Sequence, residues 1–150
     1  MIQRFHRFSY AISEISRCWH RIAADEMAPY GLKSTHCVYL LTLYRNPSGL
    51  TASNLCQLCG KDKADVSRMM SIMEQKGLVV KEGANYRALL KLTEEGIRAA
   101  EHIEKRAATA VELGGKGMTE EKRETFYQML GLIVENLRSI SEEGLPNQGE

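Results

Sequence analysis

Apolar positions along the chain fall into stripes separated by clear stop signals. Ile2, Phe5, Ile12, Ile15, Trp19, Ile22 and Ala23 recur at spacings of three, four or seven, which predicts one long amphipathic helix over residues 2–27. Pro29 and Gly31 in APYGL end it. A second helix, capped by Ser34 or Thr35 and carrying Val38, Leu40, Leu41 and Leu43, stops before the turn NPSG at 46–49. Thr51 caps a short third helix that runs to Cys59, with Gly60 as its C-terminal stop. Asp62 caps a fourth, whose core face is Val66, Met69, Met70 and Met73 and which Lys76 and Gly77 close. Asp62 and Asp65 stand three apart, as in a capping box, and both favour the positive end of that helix.

The period then changes. Two β-prone runs, 78–82 and 86–92, flank Gly83, Ala84 and Asn85, a short hairpin signal. Thr93 opens a long helix with Ile97, Ala100, Ile103, Ala107 and Val111 on one face, and GGKG at 114–117 breaks it. Thr119 caps a last helix striped with Phe126, Met129, Leu130, Ile133, Leu137 and Ile140. The polar tail, 144–150, is expected to be flexible.

This order predicts a mainly α (α+β) fold of about six helices and one β-hairpin. Residues 34–93 read as a winged helix-turn-helix, and 1–33 and 94–143 as long N- and C-terminal dimerisation helices within a single domain. Each terminal helix carries a stripe that a small middle unit cannot cover, so packing across a homodimer is expected.

Composition narrows the class. At 150 residues, with 43% apolar and 26% charged residues, the chain suits one globular domain. No apolar run approaches the ~20 residues that span a bilayer, and the start MIQRFHRFSYAISEIS lacks the pattern of a secretory signal. A cytoplasmic location, reduced cysteines and no membrane partner are expected. The net charge of +1 is uneven: residues 1–50 and 51–93 carry +3 each, and 94–150 carry −5. A basic middle beside an acidic end suits a polyanion-binding face on a helical support, though a solvated surface accounts for it too.

The fourth helix supplies the chemistry. With 66, 69, 70 and 73 turned inward, Lys63, Ala64, Ser67, Arg68 and Ser71 occupy the opposite face. Lys63 and Arg68 can donate to guanine or phosphate, and the two serines to a base edge or a phosphate. A helix of this kind fits a major groove about 12 Å wide while the hairpin reaches a neighbouring minor groove.

LTASNLCQLCGKDKADVSRMMSIMEQKGLV resembles the recognition-helix region of the MarR family of bacterial transcription factors without a gap. LKLTEEG matches the segment after that family's wing, and GMTEEKRETFYQML the opening of its last helix. The resemblance implies a homodimer joined by its terminal helices that binds a pseudopalindromic double-stranded DNA operator and usually represses until a small-molecule effector arrives. It places Asp62 where the family has a capping Ser, Lys63, Ala64, Ser67 and Arg68 where it reads the groove, Thr51 and Lys61 near phosphates, and Arg87 at the wing arginine. The wing departs from the pattern. It reads Asn85, Tyr86, Arg87 in place of Asp-x-Arg, only Lys81 and Arg87 are basic between 77 and 90, and Asn cannot form the ion pair that Asp could.

Other constellations stand beside this one. Cys56 and Cys59 in CQLCG sit one helical turn apart, where thiols pack as small apolar groups; zinc would need two more ligands, and oxidation of either thiol stays open. His36 and His102, with Glu101 or Glu26, are an incomplete zinc set. Trp19, His20, Met27, Tyr30, His36 and Tyr39 can line an effector crevice or pack the core. A zinc- or thiol-responsive regulator of the same fold is thus an alternative, as is a winged helix used for protein–protein contact. Cys18 with His20 and His36 with Cys37 cannot pair as nucleophile and base, because near neighbours on a helix point apart. There is no phosphate loop and no His-Glu-x-x-His. Neither an enzyme nor a cofactor is expected.

Overall fold

The computed structural model describes residues 1–145; the end of the expected flexible tail, 146–150, lies outside the described residues. The first stripe folds as α1 (Ile2–Met27), and a 3₁₀ turn holding Pro29 closes on Gly31 in the left-handed conformation, φ 66°. α2 (Cys37–Tyr44) follows another 3₁₀ turn, α3 is Ala52–Cys59, and α4 is Lys63–Gln75. β1 (Val79–Glu82) and β2 (Leu89–Leu92) pair antiparallel, Val79 opposite Leu92 and Glu82 opposite Leu89. α5 (Glu94–Gly114) and α6 (Glu120–Glu143) complete the chain. The mainly α architecture of six helices and one hairpin wing is borne out.

Local chemistry explains most of these boundaries. Thr51, Asp62 and Thr119 each accept a backbone N–H from three residues on, satisfying one orphan donor of the helix they open. Thr93 does the same for Gly96 at 3.1 Å while donating to the Gly77 carbonyl at 2.6 Å, so one hydroxyl ties α5 to the end of α4. A Cβ on Gly96 would lie 2.1 Å from the Leu78 carbonyl oxygen; only glycine lets the first turn of α5 approach the backbone just before β1 so closely.

Three expectations are corrected. Neither Ser34 nor Thr35 caps α2: both fall inside the preceding 3₁₀ turn, where the His36 ring accepts the Lys33 N–H at 2.9 Å. The capping box on α4 is half made, since the Asp65 carboxylate is engaged by Tyr39 and Arg68 instead of reaching back. The second β run is shorter than 86–92, because Asn85–Arg87 coils into a 3₁₀ turn with Asn85 at φ 61°.

The chain forms two compact units, Met1–Thr109 and Ala110–Glu150, divided within α5. In the first, Met27, Tyr39, Leu40, Leu43, Leu55, Val66, Met70, Met73, Leu78, Leu90, Ala99, Ala100 and Ile103 make one buried cluster. In the second, Arg123 braces the turn before α6, contacting Glu112 at 2.5 Å and the Gly115 carbonyl at 3.5 Å. α6 has no buried residue at all. No helix among the described residues is long and apolar enough to cross a membrane.

Candidate nucleic-acid interface

Two capped helices and a left-handed glycine build the helix-turn-helix. Gly60, at φ 60° and ψ 38°, reverses the chain, and the Lys61 N–H returns to the Cys56 carbonyl at 3.0 Å, closing α3 before Asp62 starts α4. Leu55 of α3 and Val66, Met70 and Met73 of α4 are buried. That burial fixes the rotation of α4 and leaves Lys63, Ala64, Ser67, Arg68 and Ser71 exposed on its other side, as the stripe predicts.

The hairpin is anchored from behind. Leu50 and Leu90 exchange both backbone hydrogen bonds, at 3.1 and 2.8 Å, which ties the approach to α3 onto β2. A groove of about 690 Å³ opens between α3, α4 and the hairpin, and Lys63, Ser67, Ser71, Lys81 and Asn85 line it. Recognition-helix and wing residues are thereby brought together. Ala64, Lys61 and Arg68 are exposed outside that groove, Thr51 is half-buried at its cap, and Arg87 is exposed in the 3₁₀ turn. Lys91, which sequence reasoning passed over, is held by Glu82 at 2.6 Å.

Asp65 is the residue that the sequence undervalued. The buried Tyr39 hydroxyl donates to one carboxylate oxygen, and Arg68 Nη2 donates to the other at 2.6 Å. The Tyr39 bond and then the Arg68 bond hold this carboxyl below its usual range, while burial, and then Asp65 itself, push the Tyr39 phenol up. The Asp65–Arg68 spacing is visible in sequence; Tyr39 lies 26 positions away and carries no local signal.

The expected crevice residues separate. A cleft of about 500 Å³ between α1, α2 and the start of α4 is lined by Trp19 and His20 together with Thr42, Arg45, Lys61 and Asp65. Met27 and Tyr39 belong to the core, and Tyr30 packs against the His102 ring at 6.0 Å between centroids. His36 is buried too, and its Nε2 has no hydrogen-bond partner. Burial holds its imidazole below the ordinary value.

The zinc alternative finds its residues apart. His102 Nε2 meets Glu26 at 3.0 Å, Arg106 takes the other Glu26 oxygen at 2.7 Å, Glu101 lies by Tyr44, and His36 is engaged with Lys33. Arg106 holds the Glu26 carboxyl below its usual range. Among the described residues no three His, Cys, Asp or Glu side chains are grouped to hold a metal. Cys56 lines the groove half-buried, whereas Cys59 turns toward the Thr42 hydroxyl at 3.6 Å and burial pushes its thiol up. All four cysteines are free thiols.

The model of the MarR family matches residues 30–85. The uncharacterized HTH-type transcriptional regulator YybA of Bacillus subtilis (strain 168) is 24% identical over 129 residues, covering 84% of this chain and 85% of its own. A MarR transcriptional regulator from Methanosarcina mazei Go1 shares the fold at a TM-score of 0.78, with 24% identity across 89% of this chain and 90% of its own. MepR of S. aureus, solved as a complex with DNA, does so at 0.77, with 20% identity across 87% and 97% of the two chains.

Proposed function

We propose that the chain is a winged helix-turn-helix transcriptional regulator of the MarR family, working as a cytoplasmic homodimeric repressor rather than as an enzyme. Each α4 enters the major groove of one half of an inverted repeat, with half-site centres roughly one helical turn, ~10 bp, apart. The observation that carries this reading is the face of α4. Lys63, Ala64, Ser67, Arg68 and Ser71 are all exposed, opposite buried Val66, Met70 and Met73, and continue into a groove that Lys81 shares. Arg68 and Lys63 supply base-edge and phosphate donors, Thr51 and Lys61 flank the backbone, and Arg87 reaches from the wing toward the minor groove.

Dimerisation is supported by the apolar faces of the terminal helices, which a single copy leaves open: Phe5, Ile12 and Ile15 on α1, and Met129, Ile133 and Leu137 on α6. The cleft holding Trp19 and His20 takes the effector. It touches both α1 and Asp65 of α4, so an occupant there bears on the DNA-reading helix directly.

Fluorescence anisotropy against a random duplex at low salt tests the reading. Binding that falls steeply and linearly in log salt is expected, with a slope of about −0.9 for each phosphate neutralised. Absence of salt-sensitive binding would instead favour a protein-binding winged helix.

A further inference from the structure

Tyr39, Asp65 and Arg68 form a line of contacts from the core to the exposed face of α4. Tyr39 is 1% exposed, the Asp65 side chain 23% and the Arg68 side chain 65%, so each link is wetter than the one beneath it. The two carboxylate oxygens are divided between the partners, Oδ2 to the Tyr39 hydroxyl and Oδ1 to Arg68 Nη2. The carboxylate cannot rotate without losing one of them. Its main chain is fixed as well, since the Asp65 N–H donates to the Asp62 cap at 2.8 Å.

We propose that Asp65 is the positioning residue for Arg68: anchored from below by the Tyr39 hydroxyl, it holds the guanidinium ready for a base edge and so sets how sharply an operator is distinguished from random DNA. This rests on the DNA-binding function proposed above.

Stability does not account for the arrangement. An exposed arginine–carboxylate pair contributes little, because solvent screens it and two side chains lose freedom. Among the described residues two comparable pairs stand at the same spacing, Arg17 with Glu14 and Arg98 with Glu95, and there neither glutamate has a second, buried donor. Of these three pairs, the one on α4 has its carboxylate anchored to the core, through the Tyr39 hydroxyl. The contact to Arg68 runs through one nitrogen, which leaves the other donors of the planar fork uncommitted. An arginine ordered before binding loses less freedom when it docks, and that saving appears only where its geometry matches the base.

The test uses an operator selected by the native protein from randomised duplexes, with affinities measured on that operator and on a random duplex. Asp65→Asn keeps an oxygen for Tyr39 and the backbone cap but removes the charge that holds Arg68. The operator-to-random ratio should fall about three- to tenfold. Random-duplex affinity should stay level or rise, because one carboxylate fewer faces the phosphates. Tyr39→Phe should lower the ratio in the same direction by less, and Asp65→Asn should add nothing in an Arg68→Ala background. Thermal melts by circular dichroism identify any variant that has simply lost its fold, and Tyr39→Phe keeps the question open to measurement in that event. An unchanged ratio, a parallel loss on both duplexes, or the same drop in the Arg68→Ala background would overturn the assignment. If the native protein selects no sequence at all, the DNA-binding reading itself fails, and this inference with it.

Discussion

The winged-helix block and α6 spend similar kinds of sequence in opposite ways. In residues 34–93, Tyr39, Leu40, Leu43, Leu55, Val66 and Met73 are almost wholly enclosed, and caps and glycines settle the ends of α3 and α4. In α6 the apolar residues are as regularly spaced, yet none of its 24 positions is buried. Periodicity alone is thus silent about where a stripe will be buried. The first region meets its partners within one chain; the second leaves its apolar face exposed, the face proposed above for the dimer.

The largest effect is expected at α6. In the proposed dimer, Ile133→Glu with Leu137→Glu should give single chains in sedimentation velocity and weaken operator binding at least about a hundredfold, since linkage of two half-site contacts is lost. An unchanged sedimentation coefficient would show that this face is not the interface. Leu55→Ala, inside the enclosed block, should instead cost about 2–5 kcal/mol in urea unfolding, because the emptied site can relax only partly. Gly96→Ala should follow at about 1–3 kcal/mol, as the new methyl meets the Leu78 carbonyl and α5 must shift away. Thr51→Ala removes the α3 cap and should cost about 1 kcal/mol.

The smallest effect separates the two regions by pH. His36 is in the enclosed block and its folded-state value lies below the ordinary 6.5, chiefly through burial, with the Lys33 and Lys76 charges pushing the same way. As pH falls, the unfolded chain therefore takes the proton first. Stability from this group is complete above about pH 6.5 and declines as pH drops toward the folded-state value. His36→Asn, which retains an acceptor for the Lys33 N–H, should flatten that decline in urea midpoints measured from about pH 8 down to about pH 5. An identical slope in the variant would assign the decline to other groups.

Much of this was legible because it is local. Thr51, Gly60, Asp62, Thr93 and Thr119 mark their helix ends through bonds reaching at most five residues, and each falls where the pattern places it. The exposed set on α4 followed from the buried one by helical geometry. What escaped depends on distant partners. Ser34 and Thr35 have cap chemistry, but both fall inside the 3₁₀ turn before α2, whose own N-cap makes no side-chain bond. Trp19 and His20 border a cleft while Met27 and Tyr39 are sealed in the core, a division that spacing cannot make. Arg45, Lys61 and Asp65 share the cleft with Trp19 through tertiary packing alone.

The emptiness around α6 also bears on how much protein must be present. A helix that buries none of its residues has little beyond its own hydrogen bonds to keep it ordered, and those are marginal in water. In the dimer proposed above its order would track the supply of second copies, and far-UV ellipticity should fall on dilution. Dosage would then become a structural variable of that proposed dimer: newly made chains at low abundance would carry an unfinished C-terminal helix, exposed to proteases, and crossing the association threshold would complete the fold.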